Sequence, residues 1–217
     1  MLIIQPSGGL CNRIRVINSA YRLSLKRQEK LLIFWNCNHE LNCPFHFLFQ
    51  PVSEFKITNI HSVADPRKLF YQKTARNYLT NDDILKNRLP DGKLSPSFVE
   101  SLKGNTYIFT WESFYPSQDY HLFLPVAPLK ARIDQMIGTF GSSCIGVHIR
   151  RTDNQPSIGK SSTDAFLTAM QEELLKNPHT MFYLATDDPA EEALLRATFP
   201  GHILSNQNRC LRRDTKE

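Results

Sequence analysis

Two adjacent arginines and a nearby carboxylate end a hydrophobic segment in the second half of the sequence. Residues 144–149 are mostly β-forming, and Arg150, Arg151 and Asp153 follow them. The polar and proline residues of 154–156 cannot extend a strand, so we predict that the strand ends at this pair. Ligands of open α/β sheets bind beyond the carboxyl ends of strands, and arginine binds phosphate or carboxylate bidentately. The pattern predicts an anion site, with a solvated charged turn as the alternative.

A glycine turn near the N terminus is a second candidate. Gly8 and Gly9 follow a predicted buried strand at 2–5 and precede a helix that begins near Asn12 and Arg13. Free backbone N–H groups and the positive end of the helix dipole favour anions there. The turn lacks the G-x-G-x-x-G dinucleotide motif. A plain turn with Asn12 as an N-cap is the alternative to a ligand role.

The elements around these two candidates follow from hydrophobic periodicity. A three-to-four spacing predicts a helix after the glycine turn, with its apolar face at Ile14, Ile17, Ala20, Tyr21 and Leu25. With a second buried strand at 31–35, the N-terminal segment reads as a parallel, right-handed βαβ unit. Further strands are predicted at 106–111, 144–149, 181–185 and 202–204, and further helices at about 125–138, 162–176 and 189–198. Residues 50–103 have no sustained period, and we expect short helices and loops.

The start of the helix at 189–198 has a recognisable local signature. Asp188 is placed as its N-cap, Pro189 as its first-turn proline and Glu191 as its N3 residue. Two α/β blocks in tandem result, and a ligand bound in a cleft between them is the natural expectation.

Length and composition limit the class of protein. The 217 residues, 41% hydrophobic, are typical of a soluble globular protein with one large or two small domains. No apolar run is long enough to span a membrane, and the N terminus has no signal-peptide pattern, so we expect a cytoplasmic protein. Five cysteines without a C-x-x-C pair indicate reduced thiols.

Metal and nucleic-acid binding are both disfavoured. Cys37, Cys43, His39 and His46 do not have the spacing of a common zinc site, so no metal is expected. The net charge of +5 is compatible with an anionic ligand. Basic and acidic residues are interspersed and no nucleic-acid-binding module is recognisable, so no nucleic-acid partner is expected. The sequence does not indicate an oligomeric state.

Three ordered segments resemble one enzyme superfamily. Residues 8–13 (GGLCNR), 148–153 (HIRRTD) and 182–188 (FYLATDD) are together similar to the GDP-fucose-dependent fucosyltransferases, in particular the α1,6-fucosyltransferases and bacterial nodulation-type enzymes. The resemblance implies a GT-B-like α/β fold of two Rossmann-type domains, at 1–123 on the acceptor side and 124–217 on the nucleotide-sugar side. It also implies inverting, metal-independent transfer of L-fucose from GDP-fucose to a glycan acceptor, without a cofactor.

The resemblance also implies roles for individual residues. Arg150 resembles the arginine that grips the diphosphate, with Arg151 beside it, and His148 resembles a histidine near the nucleotide. The remaining substrate-binding residues that it implies are Gly8, Gly9, Asn12 and Arg13 in the glycine turn and Asp187 and Asp188 after the next strand.

The sequence departs from this family pattern in two places. Some relatives have an acidic residue several positions after the arginine pair, where this chain has residues 155–158 (QPSI). Asp153 becomes the candidate general base, since that role needs a carboxylate or histidine within reach of the acceptor hydroxyl. A salt bridge that holds Arg150 or Arg151 is the alternative role for Asp153.

The second departure is a missing serine-rich segment. Relatives carry it near the donor, after the last strand recognised here, and this sequence has none. The expectation is an incomplete second domain with weak or no activity. The alternatives to an active enzyme are a non-catalytic nucleotide- or glycan-binding remnant and, with only the basic charge in its favour, a nucleic-acid-binding protein.

Overall fold

The computed structural model describes residues 1–89, 95–117, 119–151 and 159–206. The chain divides into two compact units, the first spanning Met1–Leu129 and the second beginning at Lys130. Each unit has a parallel sheet with hydrophobic clusters of its own. The predicted α/β fold class is therefore confirmed.

The first unit is built on a five-stranded parallel sheet. Its strands are β1 (Leu2–Pro6), β2 (Leu31–Asn36), β3 (Lys56–Ile60), β4 (Asn77–Leu79) and β5 (Thr106–Thr110). Their order is β3-β2-β1-β5-β4, so the chain moves outward from β1 to the edge strand β3, crosses to the opposite edge at β4 and returns to β5 beside β1. In open α/β sheets, ligands bind beyond the carboxyl ends of the strands. The glycine turn directly follows β1 there.

Helices connect these strands. They are α1 (Leu10–Arg27), α2 (Phe45–Leu48), α3 (Pro66–Thr74), α4 (Asn81–Lys86) and α5 (Pro96–Ser101). Local signals fix several ends. The Asp65 carboxylate accepts from the backbone N–H groups of Arg67 and Lys68, which caps α3, and Thr80 with Asp83 forms a capping box on α4. Gln28, in the left-handed region at φ 51°, ends α1.

Both faces of the first sheet are buried. Val16, Ile17 and Leu23 of α1 are fully buried against one face, and each contributes about 1.5–3 kcal/mol of burial free energy. A smaller cluster that includes Ile3 and Phe34 covers the other face. Burial on both sides explains why β1 and β2 read as continuous apolar runs rather than as alternating patterns.

The structure corrects two sequence predictions in this unit. The segment at 50–103 contains β3 and β4 in addition to short helices. β3 is polar and mostly half-exposed because it is an edge strand, and β4 has only three residues, so neither has a readable period. Leu25 is 52% exposed and does not belong to the apolar face of α1, where Val16 and Leu23 lie instead.

The second unit contains a three-stranded parallel sheet. Its strands β6 (Cys144–Ile149), β7 (Met181–Thr186) and β8 (Ile203–Ser205) lie in the order β6-β7-β8. Helix α6 (Ala127–Gly138) precedes β6, α7 (Thr163–Lys176) lies between β6 and β7, and α8 (Pro189–Thr198) lies between β7 and β8. All six elements were predicted, with ends that differ by at most a few residues.

The second sheet has one buried and one exposed face. Val147, Ile149, Phe182 and Leu184 pack with residues of α7 and α8, including Leu195. On the opposite face, residues 146, 148 and 185 are exposed. Helix α6, which was predicted from its apolar periodicity, has no buried residue in the structure.

Four of the five cysteines lie within the described residues. Cys11, Cys37, Cys43 and Cys144 are free thiols. In the described part of the chain, no helix combines the length and the apolar character needed to cross a membrane.

Candidate functional site

The arginine pair follows directly on the last paired residue of β6. Ile149 lies opposite Thr186 of β7, and Arg150 and Arg151 come next. The parallel register places the carboxyl ends of β6 and β7 side by side, so Asp187 and Asp188 follow β7 at the same edge. Four of the predicted site residues therefore lie together at one edge of the second sheet.

The guanidinium group of Arg151 is bound on all three nitrogens. Its Nε donates to Glu191 Oε1 at 2.6 Å, Nη1 to the Ser161 carbonyl oxygen at 2.9 Å, and Nη2 to Thr163 Oγ1 at 3.2 Å. Its Cζ atom also lies 5.9 Å from the centre of the Phe166 ring. Arg151 thereby connects the end of β6 to the starts of α7 and α8.

Glu191 is the anionic partner in this cluster. The side chains of Arg151 and Glu191 are 12% and 9% exposed, respectively. The Thr163 hydroxyl donates to Glu191 Oε1 at 2.5 Å while it accepts from Arg151. Removal of one member of a buried ion pair costs about 3–5 kcal/mol because the other charge loses its compensation. The cluster of Arg151, Thr163 and Glu191 is therefore a fixed part of the second unit.

The two aspartates after β7 have structural contacts. Asp187 Oδ1 accepts from the backbone N–H of Arg151 at 2.7 Å. Asp188 Oδ1 accepts from the Ala190 N–H at 2.8 Å, which makes Asp188 the N-cap of α8 as predicted. The first carboxylate holds the chain that follows β6, and the second starts the helix that carries Glu191.

The remaining predicted residues of this edge differ in what can be described. His148 is exposed, on the face of the sheet opposite α7 and α8. Asp153, the candidate general base, lies outside the described residues. Across the described residues, no group of three or more histidine, cysteine or acidic side chains could hold a metal ion.

In the first unit, the carboxylate of Glu40 binds the backbone of the glycine turn. Gly8 has φ +78°, and its N–H donates to Glu40 Oε2 at 2.9 Å. A Cβ atom on Gly8 would lie 2.8 Å from Asn12 Nδ2, whereas one on Gly9 would meet nothing within 4 Å. The turn thus requires glycine at position 8, and one of its backbone donors is already used by a carboxylate.

Arg13 supports this turn from inside the protein. It is fully buried and packs over Trp35, with 5.1 Å from Cζ to the ring centre. Its Nε donates to the Gly8 carbonyl oxygen at 2.7 Å, its Nη2 to Asn38 Oδ1 at 2.8 Å, and its Nη1 to the Asn36 carbonyl oxygen. Desolvation lowers the pKa of Arg13, and the charge of Glu40 partly opposes that shift.

This burial changes the role expected for Arg13. The resemblance implied direct substrate contact, whereas in the structure this guanidinium has no exposed surface and is bonded to the turn. Asn12 is half-buried and accepts from Arg15, so its side chain does not cap α1. Gly9 is the N-cap residue of α1, which has no side-chain cap and no acidic residue in its first turn. The first N–H groups of a helix have no partner within the helix and favour anions.

Sequence patterns indicate the supporting residues only in part. The cap signature of α8 places Glu191 at N3, a position typical of a reciprocal cap. In the structure its carboxylate binds Arg151 and Thr163 instead. Glu40 belongs to none of the motifs. No local pattern connects either glutamate with its arginine, because both contacts join residues distant in sequence.

The parallel sheets of the two units place the chain in the α/β class. Both units are parallel α/β units with charged residues after the carboxyl ends of strands, as in nucleotide-binding α/β proteins. No protein-family model and no curated protein sequence matches the chain.

Solved structures do match the chain. A crystal structure of NodZ α-1,6-fucosyltransferase soaked with GDP-fucose has a TM-score of 0.59 at 16% identity, covering 96% of this chain and 78% of that one. POFUT1 in complex with GDP-fucose has a TM-score of 0.53 at 10% identity, with coverages of 94% and 83%. A mutant of Arabidopsis thaliana FUT1 in complex with GDP has 0.59 at 13% identity, with 94% and 58%. The chain has a fucosyltransferase-like fold.

Proposed function

We propose that this protein is a fucosyltransferase that transfers L-fucose from GDP-fucose to a glycan acceptor. The observation that carries the proposal is an arginine pair at the end of β6, in a fold similar to that of structures solved with GDP-fucose or GDP. The similarity extends over at least 94% of the chain in these structures. At 10–16% identity it supports the reaction class and leaves the acceptor open.

In the proposed reaction, the protein acts mainly by stabilising the leaving group, GDP. The acceptor hydroxyl oxygen attacks the anomeric carbon of fucose, and the bond from that carbon to the β-phosphate oxygen breaks with inversion. Negative charge develops on the departing GDP. A guanidinium group fixed near the diphosphate stabilises that charge in the transition state. We assign this role to Arg150, which resembles the arginine that grips the diphosphate in the fucosyltransferases, whereas Arg151 is bound within the protein through all three of its side-chain nitrogens. In this proposal no divalent cation takes part.

The acceptor proton needs a base. We propose that the Asp153 carboxylate takes it, since this residue follows the arginine pair by two positions and a general base must reach the attacking hydroxyl. His148 remains proposed for the nucleotide. Asp187 and Asp188 are proposed to support the site through Arg151 and the start of α8.

The first unit is proposed to take part through its glycine turn. Gly8, Gly9 and Asn12 are proposed to contact substrate through the uncapped start of α1, and Arg13 is proposed to position them. In the domain assignment that we retain as a proposal, residues 1–123 form the acceptor-side domain and residues 124–217 bind the nucleotide sugar.

Calorimetric titration with GDP, GDP-fucose and a short oligonucleotide tests the proposal. We expect binding of both nucleotides and none of the oligonucleotide. Transfer from radiolabelled GDP-fucose to a panel of glycans is then measured with and without EDTA, and EDTA should not reduce it. Failure of both GDP and GDP-fucose to bind would overturn the proposal. Nucleotide binding without transfer to any glycan would identify a non-catalytic binding protein instead.

A further inference from the structure

We propose that Glu191 and Thr163 are positioning residues of the diphosphate site, which act by holding Arg151 and through it the end of β6. The inference rests on the proposed function, because it concerns the same site. It concerns two residues, Glu191 and Thr163, that lie outside the three segments resembling the fucosyltransferases.

The side chain of Arg151 has little capacity left to bind a ligand. Each of its three nitrogens has a protein partner, and two of those partners, Glu191 and Thr163, also bind each other. A diphosphate oxygen could reach this guanidinium only by competing with a carboxylate 2.6 Å from Nε in a site that is 12% exposed or less. The contacts therefore assign Arg151 to the architecture of the site.

The backbone at the end of β6 is held on both sides of Arg150. The last paired residue of β6 is Ile149, and two residues later the N–H of Arg151 donates to Asp187 Oδ1 at 2.7 Å. The side chain of Arg151 is anchored to α7 and α8 at the same time. Arg150 lies between the strand and this anchor, so both of its neighbours are fixed. A side chain that must meet a diphosphate in one geometry benefits from such fixed neighbours.

The negative charge of Glu191 compensates one of the two arginine charges. Two adjacent guanidinium groups repel each other, and the Glu191 carboxylate neutralises the one that it binds. The Thr163 hydroxyl orients that carboxylate by donating to the same oxygen that accepts from Arg151. Both residues belong to first turns of helices, Thr163 of α7 and Glu191 of α8, so packing of the helices fixes their positions.

The variants Glu191→Ala, Glu191→Gln and Thr163→Val test this inference. GDP, inorganic pyrophosphate and guanosine are titrated against each purified full-length protein. We expect Glu191→Ala to weaken GDP and pyrophosphate binding about tenfold or more, since hydrogen bonds to charged groups have at least that effect. Guanosine binding should not change. Glu191→Gln keeps an oxygen acceptor for Nε but not the charge, so it should restore part of the GDP affinity that Glu191→Ala loses. Thr163→Val, which keeps the carboxylate, should weaken GDP binding less than Glu191→Ala does.

A double-mutant cycle separates positioning from an independent effect. If Glu191 acts through Arg151, Glu191→Ala should cause no further loss of GDP affinity in an Arg151→Ala background. The matched control is Glu172→Ala, which removes an exposed carboxylate from α7 and should leave GDP binding unchanged. Thermal unfolding of every variant shows whether it is folded.

Each outcome decides between the two proposals. Additive losses in the cycle, or equal losses for GDP and guanosine in folded variants, would overturn the positioning role and leave the proposed function intact. Unchanged GDP affinity in a folded Glu191→Ala protein would do the same. If the wild-type protein binds neither GDP nor pyrophosphate, the proposed function itself is rejected, and the positioning role is rejected with it.

Discussion

The sequence predicts where the two adjacent arginines at the end of β6 lie, but not which groups they bind. The sequence places both at the end of a strand, where the structure also has them. It does not indicate that Arg151 is bound by Glu191, because that partner is 40 residues away in the chain. Arg13 is a similar case, since three of its contacts reach back to Gly8 or forward to Asn36 and Asn38. Motifs locate charged residues, but only tertiary contacts separate ligand-binding from supporting ones.

Arg150→Ala tests the diphosphate role directly. Loss of one donor to a developing negative charge costs about 2.7–4 kcal/mol, so turnover should fall at least about 100-fold. Steady-state kinetics with GDP-fucose should place this loss mainly in kcat, because the charge develops in the transition state. Arg132→Ala, which removes an exposed arginine from α6, is the control. Retention of most activity by the Arg150 variant would contradict the role.

Asp153→Asn tests the candidate base. The amide has nearly the same shape but cannot accept the acceptor proton, so turnover should fall about 100-fold or more while GDP affinity stays close to the wild-type value. Transfer rates and GDP calorimetry on the same preparation measure both quantities. Near-normal transfer would remove Asp153 from the mechanism. A parallel loss of GDP affinity would indicate instead that Asp153 orients an arginine.

At the level of helices and strands, prediction succeeded where local residues mark the start of an element. Helix α8 was predicted at its observed ends, because Asp188 and Pro189 start it and Glu191 follows at N3. β3 and β4 were not predicted. An edge strand such as β3 needs no apolar face of its own, and its position depends on hydrogen bonds to β2 that its sequence does not reveal.

The cap of α3 gives a pH-dependent stability. Hydrogen bonds from the Arg67 side chain and from the Lys68 and Arg67 backbone lower the pKa of Asp65 to about 2. A depressed pKa contributes stability that is present above the ordinary value near 4 and is lost as the pH falls towards 2. Asp65→Ala should therefore cost about 0.5–1 kcal/mol at pH 7, after allowance for solvent screening. Urea unfolding from pH 7 to pH 2.5 should show that the difference narrows below pH 4. Asp82→Ala, an exposed acid on α4, should show no such narrowing.

The two glycines of the turn form a matched pair for mutation. Gly8→Ala places a Cβ atom 2.8 Å from Asn12 Nδ2 at a φ of +78°, so it should destabilise the first unit by about 1–3 kcal/mol. Gly9→Ala meets no atom within 4 Å, and its φ of −70° suits any residue. Its cost should be about 0.5 kcal/mol, from the poorer N-cap. Urea unfolding of both variants measures the difference, and equal costs would contradict the strained turn.

On the scale of the whole molecule, the hydrophobic clusters follow the division into two units. The first unit contains two clusters, one between α1 and the sheet and one on the opposite face of the sheet. The second unit contains the cluster around β6 and β7. The sequence predicted two α/β blocks because the strand–helix pattern restarts before β6. Nothing in that pattern reveals that α6 would have no buried side chain, because burial depends on what packs against a helix and not on its own period.

Leu195→Ala tests whether the units unfold separately. Leu195 is fully buried in the second unit, and its truncation should cost about 2–5 kcal/mol there. Both tryptophans, Trp35 and Trp111, belong to the first unit, so their fluorescence reports on that unit alone. Urea unfolding should have an earlier transition by circular dichroism and an unchanged one by fluorescence. Leu175→Ala, at a 76% exposed position, should change neither. An equal shift in both signals would show that the units unfold together.

The burial of Arg13 has a consequence for the order in which the chain assembles. This side chain remains charged under all physiological conditions, and a charge sealed in the core without partners is very costly. Docking of helix α1 on β1 and β2 therefore requires the end of β2 and the residues just after it, which supply the Asn36 carbonyl oxygen and the Asn38 amide oxygen. We expect the first 40 residues to fold cooperatively for this reason. During synthesis on the ribosome, we expect this βαβ unit to close only after residue 38 has emerged.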